Sequence, residues 1–196
     1  MLVSELMLQQ TQVSRVVERY GEFLERFPTL HDVARAPARR VTEAWQGLGY
    51  YARARNLHRL AREVTGHPDG VLPADPAALR RLPGIGAYTA GAVASFAYER
   101  RAALVDTNVA RVLRRVFAPH LPPRTPATAR PLWEIAEELL PRSGSHAWTH
   151  NQALMELGAL VCTARVAHCA RCPVRAECGT YEGQTAMRTT KRRTGN

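Results

Sequence analysis

Apolar residues recur at helical spacing along nearly the whole chain, and no alternating run of β-branched residues calls for a sheet. Leu8, Val13, Val16, Val17, Tyr20, Phe23 and Leu24 form one broad stripe. It predicts a helix capped by Ser4 that runs to about Arg26, where Pro28 restricts Phe27 and stops it. The same spacing predicts helices over 30–35, 38–46, 52–65, 76–81, 87–97, 108–117, 127–140 and 148–161. Proline and glycine gather in the connections, as at His67-Pro68-Asp69-Gly70 and Leu121-Pro122-Pro123-Arg124. The class is therefore all-α, without repeats or heptads. Beyond Cys178 the segment 179–196 has almost nothing to bury and is expected to be disordered.

A chain of 196 residues, 45% hydrophobic and 22% charged, is an ordinary globular composition, enough for one large domain or two small ones joined intimately. No stretch approaches a membrane span, and the N-terminus lacks the basic and apolar regions of a secretory signal, so the expectation is a cytoplasmic protein with no membrane partner. Charge narrows the class further. Twenty-seven Lys+Arg against 17 Asp+Glu leave a net +10, the balance expected of a protein that meets a polyanion. Nucleic acid is the first partner to test, against the alternative of a merely solvated basic surface. Lys191 is the only lysine; every other member of that basic set is arginine.

Four cysteines fall close together as Cys162-x6-Cys169-x2-Cys172-x5-Cys178. Such a cluster reads as a metal site, since a disulfide framework would spread its cysteines through a small secreted chain. Four thiolates satisfy zinc or an iron-sulfur cluster. Zinc sites favour two short pairs, and only Cys169 with Cys172 makes one, so the spacing leans towards [4Fe-4S].

The segment Leu82-Pro83-Gly84-Ile85-Gly86-Ala87-Tyr88 lies between two helical patterns. Gly84 and Gly86 permit a tight hairpin that presents backbone amides at the start of the second helix, a nest suited to phosphate without reading sequence. A dinucleotide fingerprint is excluded, because it needs a preceding strand and a third glycine where Thr89 stands. A plain helix connector is the remaining alternative.

Leu82-Pro83-Gly84-Ile85-Gly86 resembles the hairpin of the helix-hairpin-helix DNA glycosylases, and Val105-Asp106-Thr107-Asn108-Val109 resembles the segment bearing that superfamily's essential aspartate. The cysteine spacing is similar to the cluster of its endonuclease III and adenine glycosylase branches. Ser4-Glu5-Leu6-Met7-Leu8-Gln9-Gln10-Thr11-Gln12-Val13 and the run from Trp45 to Leu57 are similar to the adenine (MutY-type) branch almost letter for letter. The likeness covers residues 2 to about 178. Set against that branch, the chain is expected to be without its usual N-terminal segment and C-terminal 8-oxoguanine-recognition domain, and Thr107 stands where some adenine glycosylases have glycine. The implied fold is a helical barrel with the hairpin plus a small helical subdomain bearing the [4Fe-4S] cluster. We divide it as 1–125 for the hairpin domain, 126–178 for the second lobe and cluster loop, and 179–196 for the tail.

Cleaving a purine N-glycosidic bond needs a proton for the leaving base and negative charge near a sugar that becomes oxocarbenium-like. By resemblance Glu5 protonates the adenine and helps activate water, while Asp106 stabilises the sugar cation. On residue type alone, Glu5 is a first-turn glutamate and Asp106 an N-cap. Glu5 carries a tension, because a helix N-terminus lowers a carboxyl pKa whereas a general acid wants it raised by burial. The resemblance also implies that Leu8 and Gln10 enter the duplex beside the mispaired partner and that Tyr50 is the wedge stacking in the kinked DNA. It further places Asn108 behind Asp106 and Glu156 against the flipped adenine. The bland counterparts are a core aromatic for Tyr50, a cap for Asn108 and a surface glutamate for Glu156. Arg165 and Arg171, in the loops between cysteines, would touch phosphate.

Tyr88 decides the chemistry's extent. Bifunctional relatives hold a lysine in this slot that forms a Schiff base with the sugar, and here no lysine precedes Lys191. The expectation is a monofunctional glycosylase, acting as a monomer on double-stranded DNA, that removes adenine opposite 8-oxoguanine or guanine and leaves an abasic site. The competing readings are a mismatch thymine or oxidised-pyrimidine glycosylase and a non-catalytic DNA-binding module.

Overall fold

The computed structural model describes residues 1–123 and 125–182. Among them every regular element is helical, with one isolated antiparallel bridge between Cys162 and Ala167, and no helix is long and apolar enough to cross a membrane. The chain divides into two compact units, Met1–Arg100 and Arg101–Asn196. The 125/126 boundary expected from sequence falls inside the second unit, at the start of a helix whose N-cap is Thr125.

In the first unit the central element is α5 (Ala52–Gly66). Its Leu57, Leu60, Ala61 and Val64 recur every three or four residues and are buried, and it packs against α1 (Leu2–Leu8), α3 (Leu30–Arg35) and α4 (Ala38–Ala44). α2 (Val13–Arg26) buries Val16 and Phe23, the latter edge-on to Trp45 at 5.7 Å and 88°. The single helix expected over 4–26 is thus two helices, broken where Gln10 takes a φ of +55°. Ser4 does not cap α1 either; its hydroxyl donates to the Met1 carbonyl. The broad stripe narrows in the same way, since Val13 and Val17 are 66% and 70% exposed. Asp75 caps the short α6 (Pro76–Leu79) through the Ala78 amide. α7 (Ala87–Tyr98) follows the hairpin and buries every side from Thr89 to Ser95, consistent with its run of small residues.

In the second unit α8 (Thr107–Phe117) buries Val109, Val112, Leu113 and Val116 and presents Arg111, Arg114 and Arg115 on the other face. It packs against α9 (Pro126–Leu139), α10 (Gly144–Glu156) and the π-helical turn Leu157–Val161 that continues α10. Buried Asn151 of α10 donates to the Ala102 carbonyl. A 3-10 turn, Cys169–Arg171, lies in the cysteine segment. Of the tail expected to be disordered, 179–182 form a helical turn, while 183–196, Lys191 included, lie outside the described residues.

Candidate functional site

In the first unit, two turns meet at one arginine. α1 ends at Leu8, which leaves the carbonyls of its last turn without helical donors. Arg53, 7% exposed on the inner face of α5, takes them up. Its Nη1 lies 2.8, 2.7 and 2.7 Å from the carbonyls of Leu6, Met7 and Gln9. Its Nη2 donates to Thr11 Oγ1 at 3.0 Å and to the carbonyls of Leu48 and Gly49 at 2.9 and 3.0 Å. Thr11 Oγ1 in turn donates to the Leu48 carbonyl at 3.3 Å. The guanidinium sits 5.6 Å from the ring centres of both Trp45 and Tyr50, and its burial lowers its pKa from the ordinary value. Outward from this hub stand Leu8, Gln10 and Tyr50, all exposed. Gln10 and Tyr50 hold left-handed backbone, Tyr50 with φ +45° and 63% exposure, next to Gly47 and Gly49 at +92° and +68°.

The hairpin is fixed from behind. Gly84 has a φ of +79°, and a Cβ there would lie 2.7 Å from Asn56 Cβ, so this turn presses directly on α5. Gly86 is exposed and leaves α7 without a side-chain N-cap. Gln9 Nε2 donates to Thr89 Oγ1 at 3.2 Å, tying the end of α1 to the first turn of α7. Glu5 sits half-buried in the first turn of α1 and Tyr88 half-buried in the first turn of α7.

In the second unit Asp106 is the N-cap of α8. Its Oδ1 accepts from the amides of Asn108 and Val109 at 2.8 and 2.6 Å, and its Oδ2 accepts from Asn108 Nδ2 at 3.1 Å. Asn108 is held from behind by Arg111, whose Nη2 reaches Asn108 Oδ1 at 2.9 Å and the Gly158 carbonyl at 2.7 Å, and whose Nε reaches the Cys162 carbonyl at 2.8 Å. The π turn supplies the Gly158 carbonyl and its C-cap, Cys162, the other, and Gly158 lies so close that a Cβ would sit 2.8 Å from Asn108 Cβ. Asp106, Arg111, Arg114, Arg115, Leu132 and Trp133 are among the residues lining a cleft of about 660 Å³. Glu156 is exposed at the end of α10 and accepts from Gln152 at 3.0 Å.

None of the four cysteines is in a disulfide, and each is half-buried. Arg115 gathers the two that are farthest apart in sequence: its Nη1 donates to Cys162 Sγ at 3.3 Å, and its carbonyl accepts from Cys178 Sγ at 3.5 Å. Cys169 and Cys172 share one turn, with the Cys172 amide donating to the Cys169 carbonyl. Among the described residues no three His, Cys, Asp or Glu side chains converge closely enough to hold a metal ion. In number and thiol chemistry the four residues match a four-thiolate set, held as one pair at Arg115 and one pair in a single turn. Arg171 donates to the Leu160 carbonyl and Arg165 is exposed.

The predicted residues therefore fall into two sets, Glu5, Leu8, Gln10, Tyr50, Gly84, Gly86 and Tyr88 in the first unit and Asp106, Asn108, Glu156 and the cysteines in the second. Sequence reasoning missed Arg53, Arg111, Arg115 and Gly158. Arg53 did carry a signal, because it occupies the first position of the apolar series Arg53, Leu57, Leu60, Val64, where a charge needs a reason to be buried.

A family model described as HhH-GPD superfamily base excision DNA repair protein matches residues 3–138. The chain is 44% identical over 177 residues to the human adenine DNA glycosylase, a match covering 90% of this chain and 32% of that one. It is 49% identical over 173 residues to the adenine DNA glycosylase of Mycolicibacterium smegmatis, covering 88% of this chain and 58% of that one. It thus spans about a third of the human relative and somewhat over half of the bacterial one. Among solved structures it is similar to a thermostable thymine-DNA glycosylase, with TM-score 0.82 and 31% identity, covering 93% of this chain and 83% of that one. A non-covalent endonuclease III–DNA complex shares the fold, with TM-score 0.75 and 24% identity over 94% of this chain and 84% of that one.

Proposed function

The chain belongs to the HhH-GPD superfamily of base excision DNA repair proteins, and on that premise we propose that it is a monofunctional DNA N-glycosylase removing adenine mispaired with 8-oxoguanine or guanine. The observation that carries this is the 44–49% identity to adenine DNA glycosylases over about nine-tenths of the chain. The 31% identity to a thymine-DNA glycosylase makes removal of mispaired thymine the competing outcome.

In this reading Glu5 gives the proton that lets adenine leave and then takes one from the attacking water. Asp106 supplies the negative charge that the sugar needs as its positive charge develops. The amides at the start of α8 and the Asn108 side chain fix the carboxylate's orientation, so little reorganisation accompanies the reaction. Gln10 and Leu8 fill the space beside the mispaired partner, Tyr50 stacks in the kinked duplex, and the Gly84–Gly86 hairpin holds phosphate by its amides. Glu156 contacts the extruded adenine. Tyr88 provides no amine, so no Schiff base forms and the product is an abasic site.

Cys162, Cys169, Cys172 and Cys178 would hold a [4Fe-4S] cluster, whose contribution is to order the surrounding loop. That loop then presents Arg165 and Arg171 to phosphate. Purified protein is expected to carry iron and sulfide and a broad visible absorbance that acid destroys; a colourless protein with stoichiometric zinc would replace the cluster by a zinc site.

The deciding experiment incubates end-labelled duplex carrying adenine opposite 8-oxoguanine with the protein, then splits the sample and treats half with hot alkali. Strand cleavage only after alkali supports the reading. Cleavage without alkali removes the monofunctional assignment, and cleavage confined to a guanine–thymine duplex transfers the protein to the thymine glycosylases.

A further inference from the structure

We propose that Arg53 is a positioning residue for base extrusion, clamping the turn that carries Gln10 and the turn that carries Tyr50 into the one arrangement that enters a duplex. What the two turns enter rests on the glycosylase reading above; the clamp itself does not. Six oxygens from two segments, Leu6 to Thr11 on one side and Leu48 to Gly49 on the other, converge on two guanidinium nitrogens. None of these oxygens belongs to a carboxylate, so the buried charge is balanced by backbone dipoles and by the rings of Trp45 and Tyr50. The carbonyl end of α1 is the negative end of its dipole, which favours a cation there.

The geometry explains two features that local sequence does not. α1 stops after two turns although neither proline nor glycine intervenes, because Arg53 offers its last carbonyls a better partner than the next helical amides. Gln10 and Tyr50 remain in left-handed backbone, a conformation that a residue other than glycine keeps only where the surroundings over-determine it. Both side chains that must replace a flipped base are therefore set before DNA arrives, and misplacement of such groups by about 1 Å costs on the order of 100-fold in rate. Lysine cannot substitute: a point charge with three rotatable donors does not span six acceptors on two segments.

Hydrogen exchange is compared for the DNA-free wild type, Arg53→Lys and Thr11→Val. Thr11→Val is the milder change, removing one clamp bond and leaving the charge. Faster exchange confined to residues 9–12 and 48–51, graded Thr11→Val below Arg53→Lys, is expected while α3 and α7 keep their protection. With duplex carrying 2-aminopurine beside the mispaired adenine, both variants should bind yet show a smaller fluorescence rise. Single-turnover excision should fall by about 100-fold in Arg53→Lys. Unchanged exchange in the two turns overturns the proposal, and so does loss of excision that merely tracks the unfolded fraction. Altered exchange with normal fluorescence and excision also overturns it. A wild type that excises no adenine, alongside the expected exchange pattern, removes the glycosylase reading and leaves the clamp standing.

Discussion

Gly84 and Gly86 look alike as letters, and their surroundings make them opposites. A methyl at Gly84 meets Asn56 Cβ at 2.7 Å in a backbone already at φ +79°, whereas a methyl at Gly86 meets nothing within 4 Å. Gly84→Ala is therefore expected to cost about 1–3 kcal/mol in urea unfolding and to weaken duplex binding. Gly86→Ala should fall within about 0.5 kcal/mol of wild type. Equal effects would show that the hairpin does not lean on α5. Gly158 obeys the same logic in the second unit, since its Cβ would meet Asn108 Cβ at 2.8 Å and the Asn108 carbonyl at 3.0 Å. Backbone cannot swing aside as a side-chain end can, so Gly158→Ala is expected to displace the start of α8 and lower excision through Asp106. Single-turnover rates at saturating protein would measure that loss. Sequence marked Gly84 and Gly86 but not Gly158, because what makes a glycine obligatory here is a neighbour 28 or 50 positions away.

At the scale of elements, helical period placed nearly every helix of both units, and breaker residues marked most of their ends. The exception is the join of α1 and α2, where the break is imposed by Arg53 from another helix. The candidate site was legible in the same proportion. Spacing singled out the cysteines, and Glu5 and Asp106 stood out only by family resemblance, since by residue type they read as a first-turn glutamate and an N-cap; Arg53, Arg111 and Arg115, which act by reaching carbonyls 44 to 51 positions away, could not be picked out. α10 adds a consequence of burial. His150 has its Nε2 buried without a hydrogen-bond partner, and desolvation lowers its pKa from the usual 6.5. Below that pH the unfolded chain takes up a proton that the folded helix refuses, so this residue's contribution is present near neutrality and lost as pH falls through the unfolded value towards the folded one. His150→Phe is expected to flatten the fall in melting temperature between about pH 7 and pH 5. An unchanged profile would mean that the imidazole is not desolvated in solution.

For the whole molecule, net charge is large but only part of it is available to a polyanion. Arg19, Arg39 and Arg130 pair with glutamates of their own helices, exposed pairs that add little to stability. Arg53, Arg111 and Arg115 are committed to carbonyls. Arg55, Arg59 and Arg62 differ: four and three residues apart, they share one exposed face of α5, the helix that begins beside Tyr50, and no ion pair engages them among the described residues. A duplex held at Tyr50 would pass its phosphates along this face. Each phosphate contact releases counterions and contributes about 0.9 to the slope of log affinity against log salt. Replacing all three with glutamine is accordingly expected to make that slope shallower by roughly 0.9 per contacted phosphate, equally for matched and mismatched duplexes. Excision at saturating protein should stay near wild type, because the reacting groups are untouched. Titrations at three salt concentrations would check this; a slope that does not move assigns these arginines to solubility and sends the phosphate contacts to the hairpin and the cysteine loops.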